Sequence, residues 1–245
     1  MRLGLCSGAA PEASLDELLD SATRRGFATL ELREGDGHGV SPSAALRGTV
    51  AAERVWRDGV RIGGYRVTAN SEAPGLVTMG RTLEAPLLLD TPAETRRRLA
   101  DARRIVAEGL AVAYVVRGSR VIDEARQACD AGLDLAWDAD PTCDDLGNSV
   151  SALLGEFGDR LKHVRLHGGG PEADLQEGRG VGAMAGRLAL AGYQGTFIVT
   201  PTSRRYRIAW QTWLGRRGGW GCGSKATGPG LVTLDRLEPH GEVTR

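Results

Sequence analysis

Between Leu161 and Thr200 the chain reads LKHVRLHGGG, then a polar turn, then GRGVGAMAGRLALAGYQGTFIVT. Val164 and Leu166 fall on one face of a strand, and His163, Arg165 and His167 fall on the other, because successive side chains of a strand point to opposite sides. A helical run follows, with Met184, Leu188 and Ala191 at helical spacing and Gly192 as its terminator, and then the β-rich run Phe197-Ile198-Val199. Strand, loop, helix and strand make one βαβ unit. Parallel strands joined in this way are covered on both faces, so polar side chains aimed at a single interior point to the mouth of a closed barrel.

The same theme recurs along the chain. Arg2–Cys6 predicts a strand; Ser14 then caps a helix, with Glu17 at capping-box spacing and Leu15, Leu18, Leu19 and Ala22 as its apolar stripe before Gly26. Ala28–Arg33 alternates Leu30 and Leu32 with Thr29, Glu31 and Arg33. Past GDGHGVSP, Ser43–Arg57 predicts a weaker helix and Val60–Ala69 a strand, the alternate face carrying Arg66, Thr68 and, just past the strand, Asn70. Ser71–Glu84 contains Pro74, Gly75 and Gly80 and reads mostly as loop.

Pro86–Asp90 is the fourth strand, and Thr91-Pro92 with Glu94 supplies an N-cap, a first-turn proline and a capping box for a helix reaching Glu108, stopped by Gly109. Ala111–Arg117 is a strand, Val121–Ala131 a helix, Leu133–Asp138 a strand and Ala139–Thr142 a loop before a helix ending at Phe157. The His163 strand and Gly195–Thr200 bring the strands to eight. The fold expected is α/β, a (β/α)8 TIM barrel of eight parallel strands with a weak helix after the third. Residues 1–214 form one barrel domain, with Arg204–Leu214 a candidate terminal helix carrying Tyr206, Trp210 and Trp213. Residues 215–245 form a glycine-rich irregular tail, either packed on the barrel, as a lid for example, or disordered. The GGWGCGSK run within it is not a phosphate loop, since Ser224 separates Gly223 from Lys225 and no βαβ unit surrounds it.

Composition narrows the function classes. The 245 residues suit one such barrel, and 31 basic residues cancel 31 acidic ones, so there is no electrostatic footprint for nucleic acid or an anionic membrane. All the basic residues except Lys162 and Lys225 are arginine, the better bidentate partner for a carboxylate or phosphate. Cys6, Cys129, Cys143 and Cys222 show no CxxC spacing, which fits reduced thiols in a cytoplasmic protein. No stretch approaches a membrane span.

Three passages resemble the xylose-isomerase-like barrel superfamily of sugar isomerases, epimerases and related dehydratases, which also has an apurinic endonuclease branch. GFATLEL at 26–32 is similar to its strand-two signature, DLAWDAD at 134–140 to its strand-six aspartate, and KHVRLHG with the later GRG and LALAGYQGTFIV to its strand-seven to strand-eight passage. The resemblance covers residues 1–200. It implies the barrel fold and, in metal-binding members, ligands on strands five to eight. The matching positions here carry Arg117, Asp138, Arg165 and Thr200, and the residue two past the aspartate, often His in the family, is Asp140. Arginine does not ligate a hard cation and repels one, so the family's divalent metal is not expected here and no other cofactor is implied.

Barrel parity places Glu31, Arg33, Arg66, Asp90, Arg117, Asp138, Arg165 and His167 on inner faces. A guanidinium can take over the cation's work of stabilising an enolate oxygen or clamping an anion. The candidate catalytic residues are therefore Glu31, Asp138 and His167. Glu31 or Asp138 would remove a proton beside a carbonyl and His167 would return one. Arg33, Arg66, Arg117, Arg165 and Asn70 would bind a small oxygenated anion, and the reaction would be a metal-independent isomerisation or epimerisation, with dehydration or another lyase step as the alternative.

The same charges can instead pair structurally, as Glu31–Arg33–Arg165 or Asp138–Arg117, in a non-catalytic barrel that binds a ligand or a partner protein. A metalloenzyme with a rearranged set of Glu31, Asp138, Asp140 and His167 is a further alternative, disfavoured by the crowding arginines. Endonuclease chemistry is the least expected class, since the charge balance and the missing ligands both argue against it. His163 reads as a core histidine, His38 as an idle exposed loop residue, Cys6 as an inert buried thiol, Asp140 as a helix cap and Trp137 as core. The apolar surface beside the thin helix after the third strand would suit a homodimer.

Overall fold

Short β-rich runs that alternate apolar and polar residues, each followed by an amphipathic helix, bury both faces only by closing on themselves. The computed structural model describes residues 1–50, 59–67, 73–90, 95–139, 146–168 and 181–201. Eight strands, β1 (Arg2–Cys6), β2 (Thr29–Arg33), β3 (Arg61–Val67), β4 (Leu87–Leu89), β5 (Val112–Arg117), β6 (Asp134–Ala139), β7 (Leu161–Gly168) and β8 (Thr196–Pro201), form a closed barrel in chain order. Adjacent strands run parallel, and β8 closes on β1 with Val199 opposite Leu5. Between them lie α1 (Leu15–Arg24), α2 (Pro42–Leu46), α3 (Ala73–Leu83), α4 (Thr95–Ala107), α5 (Val121–Asp130), α6 (Leu146–Phe157) and α7 (Val181–Leu190). Ser14 and Glu17 make the predicted capping box on α1, and Gly26 and Gly192, at φ 71 and 77°, turn the chain where a side chain would be strained.

The main core lies between the sheet and the helices. Leu30, Leu32, Tyr65, Trp137, Leu166 and Phe197 point outward from the strands into one apolar cluster with Leu18, Leu19, Leu76 and Met79 of the helices. Inside the barrel the only apolar cluster among the described residues is small, Leu88, Ala113, Val115 and Ala136. Apart from Ile198, the rest of the bore is filled mainly by polar side chains and made narrow by glycine.

Gly4 shows how narrow. A Cβ built there stands 2.5 Å from Thr29 Cγ2 and from Ile198 Cδ1, and 2.8 Å from the Thr29 carbonyl oxygen. The side chains can turn aside, but the carbonyl is fixed in the sheet. Gly4→Ala is expected to cost about 1–3 kcal/mol through overpacking; thermal melting checks it, and an unchanged midpoint would mean the bore is looser than described.

Two expectations need correction. Ser71–Glu84, read as mostly loop, contains the eleven-residue helix α3. Its proline sits in the first turn, where no amide donor is needed, and its glycines are contact points: a Cβ on Gly75 would lie 3.0 Å from Pro42 Cβ, and one on Gly80 3.2 Å from Leu110 Cδ2. Leu76, Met79 and Leu83 are buried along one face of α3, which removes the premise of an uncovered apolar surface there. Conversely, of the helix expected over Ser43–Arg57 the described residues form Pro42–Leu46, capped by the Ser41 hydroxyl and followed by Gly48 at φ 66°, while 51–57 lie outside the described residues.

The described residues exclude Thr91-Pro92 and Glu94, Thr68 and Asn70, Asp140, the 204–214 segment and the tail 215–245. Among the described residues no helix is long and apolar enough to cross a membrane.

Candidate active site

Strand alternation sends Glu31 and Arg33 of β2, Arg66 of β3, Arg117 of β5, Asp138 of β6 and Arg165 and His167 of β7 into the bore, with Asp90 directly after β4. The register sets their heights: Arg117 lies beside Asp138 and Asp138 beside Arg165, while Arg33 lies beside Arg66. All stand toward the C-terminal strand ends, the face where βα barrels build their chemistry.

Arg165 crosses the bore. Its Nε and Nη2 donate to Glu31 Oε2 at 3.1 and 2.6 Å, and its Nη1 donates to Asp138 Oδ1. Arg66 reaches in from the opposite wall, with Nε donating to Asp90 Oδ2 at 2.6 Å and Nη2 to Asp138 Oδ2 at 2.9 Å. Arg117 donates through Nη2 to Asp90 Oδ1 and lies 3.6 Å from Asp138 Oδ2. Three guanidiniums thus compensate the three carboxylates of Glu31, Asp90 and Asp138 in one connected network. Such a network is retained only when each buried charge has a partner, since an unpaired one costs several kcal/mol.

Burial divides the network into two levels. The Glu31 and Arg165 side chains are 0% and 1% exposed and that of Asp138 5%. Above them Arg117 is 43% exposed, Arg33 37% and His167 30%. The carboxylates lie below, and the partly exposed Arg33, Arg117 and His167 meet solvent above them, so the described rim presents hydrogen-bond donors over a network whose charges balance.

His167 Nε2 lies 3.4 Å from Asp138 Oδ2. His163, one step deeper, has Nε2 at 3.3 Å from Glu31 Oε2 without the alignment of a hydrogen bond, and its Cε1 packs close to Gly64. Cys6 donates from Sγ to Glu31 Oε1 at 3.5 Å; burial, and then the Glu31 charge, push its thiol up, which leaves it a poor nucleophile at neutral pH.

The loop after β2 is tied to the rim. Arg33 donates to Asp36 Oδ1 at 3.2 Å from Nε and 2.8 Å from Nη2, and Ser7 Oγ donates to Asp36 Oδ2 at 2.6 Å while accepting from the Arg33 amide. Arg33 therefore pairs with Asp36, three residues on, and not with Glu31. His38 is not an exposed idle residue: it is 5% exposed, with Nε2 2.9 Å from the Arg33 carbonyl and Nδ1 accepting from the Val40 amide. Those two bonds require a neutral ring with its proton on Nε2, and burial holds its pKa below the ordinary value, opposed by the Arg33 carbonyl and by Asp36.

Because the folded pKa of His38 is lowered, the unfolded chain takes up the proton first as pH falls. The associated stability is complete above about pH 6.5 and is lost as pH falls through the lower folded value. Wild-type protein should therefore lose more stability between pH 7 and 5 than His38→Gln, which has no ring to titrate; denaturant melts at both pH values check this, and equal slopes would contradict it.

Sequence parity identified the charged residues and, in the structural alternative, the Glu31–Arg165 and Asp138–Arg117 pairings, but not the remaining partners. Asp36 and Ser7 were missed; the i, i+3 spacing of Asp36 from Arg33 was the available signal. Asn70 lies outside the described residues.

The donor set does not fit a hard divalent cation. At the positions matching the superfamily's ligands stand two guanidiniums, Arg117 and Arg165, a threonine, and Asp138, whose oxygens already accept from Arg165 and Arg66. Among the described residues no group of three or more His, Cys, Asp or Glu side chains is placed to hold a metal ion.

By sequence, the chain matches no known protein family and no curated protein. By structure, it is similar to a xylose isomerase domain containing protein from Salmonella typhimurium LT2, at 14% identity and TM-score 0.59 over 88% of this chain and 95% of that one. It is also similar to a 3-keto-D-glucoside 4-epimerase from E. coli, at 12% identity and TM-score 0.59 over 87% and 98%. A third similar structure is the probable 3-DHS dehydratase AsbF of Bacillus anthracis, at 9% identity and TM-score 0.57 over 87% and 97%. These likenesses show the fold, a closed (β/α)8 barrel.

Proposed function

We propose that this barrel is a sugar-modifying enzyme, an isomerase or epimerase, that moves a proton beside a carbonyl of a small oxygenated anion without a metal ion. The observation that carries the reading is the two-level mouth, with Arg33, Arg117 and His167 meeting solvent above buried, compensated carboxylates. The names of the structural neighbours, an epimerase and a dehydratase among them, support the reaction class.

His167 is the proton-transferring group in this reading, because solvent and substrate reach it, whereas Glu31 is fully buried beneath Arg165. With Nε2 turned toward Asp138, Nδ1 is the nitrogen free to accept a proton from carbon. The electron pair of the broken C–H bond moves into the carbonyl, and the resulting enolate oxygen is met by the Arg117 guanidinium. Return of the proton from His167 to the neighbouring carbon gives the isomer; the epimer forms when the planar enolate turns its other face to the imidazole before the proton returns. Asp138 orients the imidazole and stabilises it when protonated, and Glu31 and Asp138 hold Arg165, so these carboxylates act through their partners. Arg33 and Arg66 contribute to the field that holds the substrate's anionic group, and Asn70 is a further candidate contact.

A second reading is favoured by one observation, that each carboxylate of the floor is bound by arginine: a barrel that binds a ligand without turning it over. Loss of a hydroxyl beside the carbanion would instead give the dehydratase variant.

Melting with D-gluconate, other sugar acids and neutral D-glucose tests the anion site. A sugar acid at 100 times its dissociation constant should stabilise by about 2.7 kcal/mol, with little effect of glucose and a weaker effect in Arg117→Gln. Equal responses to glucose and gluconate, or none to any acid, would overturn the reading.

A further inference from the structure

Thr200 stands on the inner face of β8, because the alternate residues Phe197 and Val199 are buried in the layer between sheet and helices. In the β7–β8 register it lies opposite His167. It is 7% exposed, and its Oγ1 makes no hydrogen bond among the described residues. The contrast with Thr29, another threonine of the bore, is direct: Thr29 Oγ1 donates to the Arg61 carbonyl at 3.1 Å. A buried hydroxyl left without a partner is a cost that folded proteins avoid. Thr200 is placed where a ligand in the mouth, next to the imidazole, would remove that cost.

We infer that Thr200 Oγ1 binds a hydroxyl or carbonyl oxygen of the substrate beside the carbon served by His167, so that the mouth selects polyhydroxylated carboxylates over plain ones. The inference rests on the anion site proposed above and adds its second recognition element. The arginines of the rim recognise only the charge. Thr200, as donor and acceptor, reads the oxygenation next to the reacting carbon, and a substrate lacking that oxygen leaves the hydroxyl buried and unpaired.

The test is Thr200→Val, which keeps the branched shape and removes the hydroxyl. Without ligand, T200V should melt at or above the wild-type midpoint, since it deletes an unpartnered buried polar group. Calorimetric titration should then show D-gluconate binding about tenfold more weakly to T200V than to wild type, while hexanoate, a carboxylate without hydroxyls, binds both alike. A T200V midpoint below wild type would mean that the hydroxyl has an internal partner and would overturn the inference. Undiminished gluconate binding in T200V, or equal wild-type affinity for gluconate and hexanoate, would overturn Thr200's role and leave the anion site standing. No binding of either probe to wild type would defeat the anion site and the inference together.

Discussion

Replacing Arg165 with methionine should lower stability by about 3–5 kcal/mol, the cost of removing one partner from a buried ion pair. Methionine keeps most of the side-chain length, so the loss reports charge and not an empty space. Arg165 is 1% exposed and is the only guanidinium that hydrogen-bonds Glu31 among the described residues, while Asp138 retains Arg66. Among the described residues Glu31 would be left as a buried carboxylate with only Cys6 and the unaligned His163 near it.

A control makes that expectation specific. The double variant Arg165→Met, Glu31→Gln should recover part of the loss, since the stranded charge is gone, and a double-mutant cycle separates this coupling from packing. For a chain of this size each kcal/mol moves the midpoint by about 2–4 °C, so the single variant should melt on the order of 10 °C lower. An Arg165→Met midpoint within 2 °C of wild type would show that the crossing pair does not hold the bore together.

The second large effect concerns chemistry. His167→Gln should reduce turnover by about 10²–10⁴-fold, the usual contribution of a positioned acid–base group. Its side chain is 30% exposed and, among the described residues, contacts the network at the edge of Asp138, so stability should stay within about 0.5 kcal/mol of wild type. Gluconate binding should be little changed, because the arginine charges remain. A variant that binds and turns over like wild type would remove His167 from the reaction; one that binds but does not turn over, as wild type itself would behave in the ligand-binding reading, separates the two proposals.

These effects trace to features of unequal visibility in the sequence. The alternation Val164, Leu166 against His163, Arg165, His167 was enough to locate the inner face, because a two-residue period has only two ways to face. Closure followed from eight such runs with helix signals between them. Partnership was visible only as alternatives, Glu31–Arg33–Arg165 or Asp138–Arg117, of which the structure keeps Glu31–Arg165 and Asp138–Arg117 and turns Arg33 to Asp36. Arg165 and Glu31 are separated by 134 residues, and whether Arg165 meets Glu31 or Arg33 does depends on strand tilt and register around the whole barrel. Helix α3 was hidden for a different reason: Gly75 and Gly80 weaken a helix considered alone, and only the close approach of Pro42 and Leu110 shows why glycine is needed there. His38 was hidden by its glycine-rich surroundings, which suggested an exposed loop, whereas the Arg33 carbonyl and Val40 amide draw its ring inward.

The central claim is proton transfer to and from carbon at a mouth whose cations are arginines. Its most direct measurement is hydrogen exchange: protein treated with a chelator is incubated in D2O with a panel of keto and aldonic sugar acids, and NMR follows the C–H signals beside the carbonyl or carboxylate. The account predicts deuterium incorporation into at least one acid, undiminished by the chelator and abolished in His167→Gln. Exchange that appears only after Mn²⁺, Mg²⁺ or Co²⁺ is added, or that persists in the His167 variant, would contradict it.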